Sequence, residues 1–136
     1  MKEKGNKAEI SVLRELVMND FTVLEPYGDN EPYDIVVELD SEFRKLQVKS
    51  SRFKKGSIIV SLKRTNMTSD GAQNKYYTAD EIDAYAVYSP EFDVNYYVPF
   101  EEAPKSQMRL RVNPVDPQHR SNDIRWAEDH ELENFI

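Results

Sequence analysis

Between residues 31 and 51 the chain reads EPYDIVVELDSEFRKLQVKSS, and its second half alternates strictly. Leu46 and Val48 fall on one face, and Lys45, Gln47 and Lys49 on the other. A period of two marks a half-buried strand. With DIVVELD before it and Asp40-Ser41-Glu42 between, the stretch predicts a β-hairpin, and the turn-rich YGDNEPYD precedes it.

The flanking patterns are equally specific. In NKAEISVLRELVMN (6–19) the residues Ala8, Val12, Leu13, Leu16 and Val17 recur at three- and four-residue spacings, predicting a helix with one apolar stripe. Asn6 with Glu9 three positions on has the form of a capping box, and Asn19-Asp20 ends the helix. FTVLEP reads as a short strand closed by Pro26, and SIIVSLKR as a third strand of the meander after the turn Lys54-Lys55-Gly56. TNMTSDGAQNKYYTADEID is polar and predicts irregular chain with a short helix near its end. AYAVYS and VNYYVPF predict two strands around Ser89-Pro90-Glu91. EEAPKSQMRLRVNPVDPQHR is a Pro-punctuated loop with one short strand at MRLRV, and the tail around Ile124, Trp126, Ala127 and Leu132 has helical spacing. The whole describes an α/β chain, a mixed β-sheet with helices packed on it.

Composition narrows this further. At 136 residues the chain is expected to be one domain, 1–136, with a real core. No apolar run approaches the ~18 residues of a membrane span, and MKEKGNKAEI has no apolar signal region, so an intracellular, cytoplasmic protein is expected. The absence of cysteine removes disulfides, thiolate zinc sites and cysteine nucleophiles. Net charge is −7, yet its distribution is uneven: residues 44 to 64 hold eight basic side chains and no acid. Such a block suits a polyanion whatever the distant net charge, although a solvated basic edge has the same composition.

The hairpin register can be estimated. A turn centred on Ser41-Glu42 sets Ile35 against Val48 and Val37 against Leu46, turned to the core, and Asp34 opposite Lys49. Core periodicity alone then brings Asp34, Gln47 and Lys49 within about 5 to 8 Å of one another on the other face. Asp34 can ligate a hard divalent cation such as Mg²⁺, with the Gln47 amide oxygen beside it. Lys49 can orient water or neutralise charge developing on a phosphate. Glu9 would add negative charge if the first helix packs beside the hairpin. Singly, each residue has an ordinary structural role, Glu9 in a cap and Lys49 in a weak cross-strand ion pair; together they form a constellation.

Other chemistries find less support. His119 and His130 have no partner at metal-ligand spacing, and four scattered glycines make no phosphate loop. Tyr85, Tyr88, Tyr96 and Tyr97 alternate like packing residues.

At these residues the sequence resembles the PD-(D/E)xK nuclease superfamily, and within it the group I intron-associated homing endonucleases and their relatives. The resemblance rests on GNKAEISVLREL, PYGDNEPYD ending in Asp34, and QVKSS, with weaker similarity at RWAEDHEL. It implies a restriction endonuclease-like fold with an αβββαβ core, and Mg²⁺-dependent hydrolysis of DNA, with Mn²⁺ able to substitute. It also implies a homodimer or homotetramer. Carried over, Asp34 is the metal-binding aspartate, Lys49 the catalytic lysine, and Glu9 the helix carboxylate. Gln47 stands where most members have an acid, and Tyr33 where the motif has proline, with Pro32 one position earlier. The metal set is Glu9, Asp34, Gln47 and the Val48 carbonyl.

Ser50, Arg52, Lys54, Lys55, Lys63 and Arg64 are then expected to contact DNA phosphates, which positions the duplex without reading its sequence. Specificity is left to oligomer geometry and to loops such as 65–79. The layout is similar also to archaeal Holliday junction resolvases, so a structure-specific nuclease is an alternative, as is a non-catalytic DNA-binding module, which Gln47 keeps open. A protein-interaction domain meeting basic partners is disfavoured by the acid-free block.

Overall fold

The structure is a computed structural model and describes residues 2–28, 30–68, 71–114 and 123–136. Asp29 of the predicted turn and His119 lie outside these residues. Helix α1 (Lys2–Met18) buries Ala8, Val12 and Leu16, the stripe the spacing predicts. It starts before the expected cap: Asn6 lies inside the helix, so Asn6 and Glu9 are not its capping box. Lysine and glutamate are good helix formers and carry the helix upstream past a weak stop. At its other end Asp20 takes a left-handed conformation (φ 68°), and Phe21 N–H returns to the Leu16 carbonyl.

Strands β1 (Val23–Leu24), β2 (Ile35–Leu39) and β3 (Glu42–Ser50) follow, then β4 (Arg52–Lys54) and β5 (Ser57–Ser61). Next come β6 (Lys63–Thr68), β7 (Gly71–Tyr76), β8 (Ala84–Ser89), β9 (Val94–Pro99) and β10 (Gln107–Arg111). The main sheet has the order β1-β2-β3-β8-β9, with β3 and β8 parallel and the other neighbours antiparallel. One face meets α1 and the terminal helix α2 (Leu132–Phe135) through Ile35, Val37, Leu46, Val48 and Tyr97. On the other face Tyr85, Val87, Tyr96 and Val98 pack on Ile58, Val60, Met108 and Leu110 of a second sheet, β10-β5-β4. Tyr85, Tyr96 and Tyr97 are therefore core, as their alternation predicts.

Four expectations are corrected. The hairpin turns at Asp40-Ser41, both left-handed (φ 51° and 68°), as a two-residue hairpin turn requires. This moves the register by two, pairing Ile35 with Leu46 and Val36 with Lys45. A shift of two keeps every side chain on its predicted face. Residues 65–83, expected to be mostly irregular, contain most of the hairpin β6–β7, a two-stranded sheet of its own. Strands β4 to β7 thus join β3 to β8, where the αβββαβ order places a helix. The tail is not one helix but a 3-10 turn, Ala127–His130, followed by the short α2. No helix among the described residues is long and apolar enough to cross a membrane.

Candidate active site

Asp34 precedes β2 and is tied into the sheet twice. Its N–H donates to the Leu46 carbonyl at 2.9 Å, and its Oδ2 accepts the Val48 N–H at 3.0 Å. The observed register sets Asp34 level with Gln47, not with Lys49, which becomes a diagonal neighbour. All three lie on the face opposite Ile35, Leu46 and Val48, as alternation requires. The Gln47 amide donates to the Val48 carbonyl at 3.4 Å, so that carbonyl keeps a lone pair free.

Lys49 does not form the cross-strand ion pair. Its Nζ donates to the Lys63 carbonyl at 2.9 Å and lies 5.1 Å from the centre of the Tyr77 ring. Burial pulls its ammonium pKa down; nearby Asp34 raises it and Arg64 lowers it further. For Asp34, burial pushes the carboxyl pKa up, while the Val48 N–H and Lys49 hold it down. Glu9 is half-buried on α1, and its carboxyl is raised by burial, then by Asp34, then by Glu25. Glu9 is therefore within electrostatic reach of both Asp34 and Glu25.

The donor set is hard oxygen throughout, which fits Mg²⁺ or Mn²⁺. Among the described residues no three His, Cys, Asp or Glu side chains converge on one metal position. A cation here would be held by Asp34 and Glu9 with the Gln47 amide oxygen and the Val48 carbonyl. Magnesium tolerates so few carboxylates because it keeps several waters and takes substrate phosphate oxygens.

The basic block divides. Arg44 pairs with Glu42 (2.6 Å), Lys45 Nζ donates to the Asp80 carbonyl (2.6 Å), and Arg64 pairs with Glu81 (2.7 Å). Arg52, Lys54, Lys55 and Lys63 are exposed, as phosphate contacts must be. Ser50 is the exception to expectation. It shares the face of Leu46 and Val48, and its Oγ is buried without a hydrogen-bond partner among the described residues, turned away from Lys49 and from solvent.

The sequence reading missed Glu25, Tyr77 and Glu81. Glu25 follows a two-residue strand, and Tyr77 and Glu81 fall in a polar stretch without periodicity, so no pattern marked them. A second polar group fixes α1 on the sheet: Tyr97 donates to Glu15 Oε1 at 2.7 Å, and the Asn95 amide to the same oxygen at 3.2 Å. Ser11 donates to Asn95 Oδ1 at 3.2 Å.

A family model described as PD-(D/E)XK endonuclease matches residues 1–133. No curated protein sequence matches the chain significantly. Among solved structures, the bacterial homing endonuclease I-Ssp6803I is similar at a TM-score of 0.77 with 24% sequence identity. The match covers 98% of this chain and 89% of that one. That likeness shows the α/β fold, a mixed sheet with few helices, of the restriction endonuclease-like kind.

Proposed function

The chain belongs to the PD-(D/E)XK endonuclease family, and from that premise we propose that it is a divalent-metal-dependent endonuclease that hydrolyses phosphodiester bonds of DNA. The observation that carries this reading is the half-buried Lys49 ammonium. It forms no ion pair among the described residues and shares a face with Asp34 and Gln47. A partly desolvated cation without a carboxylate partner attracts an anion more strongly than one fully in water.

Asp34 accepts from Val48 with one oxygen and binds the metal with the other; Glu9, Gln47 and the Val48 carbonyl complete the oxygen set. When bound, Mg²⁺ or Mn²⁺ polarises a phosphoryl oxygen and lowers the pKa of a water. Lys49 neutralises charge that grows on the phosphate during attack. Arg52, Lys54, Lys55 and Lys63 hold neighbouring phosphates. Cutting both strands takes two sites, so the active form is a homodimer or homotetramer. Ile10, Val17 and Met18 on α1, all more than half exposed, offer apolar area for such contacts.

A supercoiled plasmid and a four-way junction, each incubated with Mg²⁺, Mn²⁺ or EDTA, test the proposal. Metal-dependent cutting of plasmid supports duplex cleavage in the manner of homing enzymes. Preference for the junction supports a resolvase role. DNA binding without cleavage of either substrate, together with no Mn²⁺ binding by calorimetry, contradicts the proposal and supports a non-catalytic module.

A further inference from the structure

Tyr77 belongs to none of the sequence motifs, yet two cations meet on it. Lys49 Nζ lies 5.1 Å from its ring centre, and the Arg64 guanidinium carbon 5.2 Å from the same centre. Lys49 also donates to the Lys63 carbonyl, the peptide that leads directly into Arg64. The two like charges repel one another. Attraction to the ring face offsets part of that repulsion. The ring itself is braced, packed edge-on to Tyr85 at 5.9 Å, and Tyr85 is fully buried. Arg64 is braced as well: its NH1 lies 2.7 Å from Glu81 Oε2, and Glu81 Oε1 accepts the Thr78 N–H at 3.0 Å. Lys49 is within electrostatic reach of Asp34, and two cations carried on one ring fit a group with two charged oxygens.

We propose that Arg64 is a second cation on the scissile phosphodiester, acting with Lys49, and that Tyr77 is the positioning residue that holds the two side by side. The assignment rests on the nuclease reading above and deepens it. During hydrolysis a water oxygen bonds to phosphorus and loses a proton. The phosphorus–oxygen bond to the sugar breaks, and the leaving oxygen takes up a proton. Charge on the phosphoryl oxygens rises between these events. One ammonium cannot cover both non-bridging oxygens, whereas a guanidinium presents a fork of N–H groups beside it. Arg64 is thus a participant in the chemistry, where the sequence alone suggested only a contact along the backbone. Its pairing with Glu81 keeps it aimed while no DNA is bound.

The test is single-turnover cleavage of supercoiled plasmid in Mn²⁺ at saturating protein, with affinity and salt dependence for the same DNA measured in Ca²⁺. Arg64→Ala is expected to slow cleavage roughly 100-fold, the scale of losing one oxyanion donor. Tyr77→Leu is expected to slow it by up to about 100-fold through misplacement, with unchanged DNA affinity and salt slope. Tyr77→Phe, which keeps the ring, restores the rate. If Tyr77→Leu fails to fold, Arg64→Ala and Arg64→Lys decide the matter, since only a forked donor should serve. An Arg64→Ala protein that binds more weakly but cuts at the wild-type rate overturns this inference alone. A wild type that binds DNA and never cuts it overturns the nuclease reading and this assignment with it.

Discussion

Asp34 and Val48 are joined across the hairpin by a 3.0 Å hydrogen bond from the Val48 N–H to Asp34 Oδ2. The bond fixes the carboxylate beside the backbone carbonyl and Gln47 amide expected to share a cation with it. Asp34→Asn keeps the size and the acceptor but removes the charge. It is expected to fold as the wild type does and to lose Mn²⁺ binding by calorimetry. The loss should exceed the roughly 10- to 100-fold that follows removal of a ligand's supporting partner. Mn²⁺ binding equal to wild type would place the metal elsewhere.

Glu9 and Asp34 both have carboxyl pKa values raised, chiefly by burial. A raised folded-state pKa means the folded protein holds its proton more tightly than the unfolded chain. The stabilising contribution is full below the unfolded pKa and is lost as pH rises through the folded value. At neutral pH the ionised pair therefore weakens the metal-free fold. Glu9→Gln is expected to melt higher than wild type at pH 7 in EDTA, with the difference fading in acid just below the usual carboxylate range. Saturating Mn²⁺ should reverse the order. Identical melting curves from pH 3 to 7 would contradict the electrostatic account.

Tyr97 and Asn95 clamp helix α1 through Glu15. Removing the Tyr97 hydroxyl leaves Glu15 short of a donor at the edge of the core. Tyr97→Phe should cost about 1–3 kcal/mol in urea unfolding. Because α1 carries Glu9, weaker Mn²⁺ binding should accompany it. Unchanged stability would mean water replaces the hydroxyl without loss.

Lys54 ends β4 and Lys55 begins the turn into β5, and both are exposed. Each phosphate contact steepens the salt dependence of duplex binding by about 0.9 in log–log slope. Lys54→Gln with Lys55→Gln is expected to flatten the slope by nearly two. An unchanged slope would remove this turn from the DNA-facing surface.

Which candidate residues share a face was legible because alternation on β3 and the apolar face of β2 fix which side chains point together, whatever the exact register. The estimate put Lys49 opposite Asp34 and was off by two, since the tight left-handed turn at Asp40-Ser41 could not be told from one centred a residue later. Face survived the error; the partner did not. The hairpin β6–β7 was illegible because its sequence is mostly polar, so no hydrophobic period marks its strands. Tyr77 and Glu81 were hidden for the same reason, and Glu25 because two residues of strand carry no pattern. Ser50 was misjudged because adjacency to Lys49 in sequence means the opposite face on a strand.

The most direct test of the account compares wild type with Lys49→Ala, measuring plasmid cleavage in Mn²⁺ and duplex affinity in Ca²⁺. The account predicts cleavage by wild type that falls at least about 100-fold in the variant, with affinity little changed, because Lys49 acts on charge that appears only as the bond breaks. Cleavage by Lys49→Ala at the wild-type rate would place the chemistry away from this hairpin.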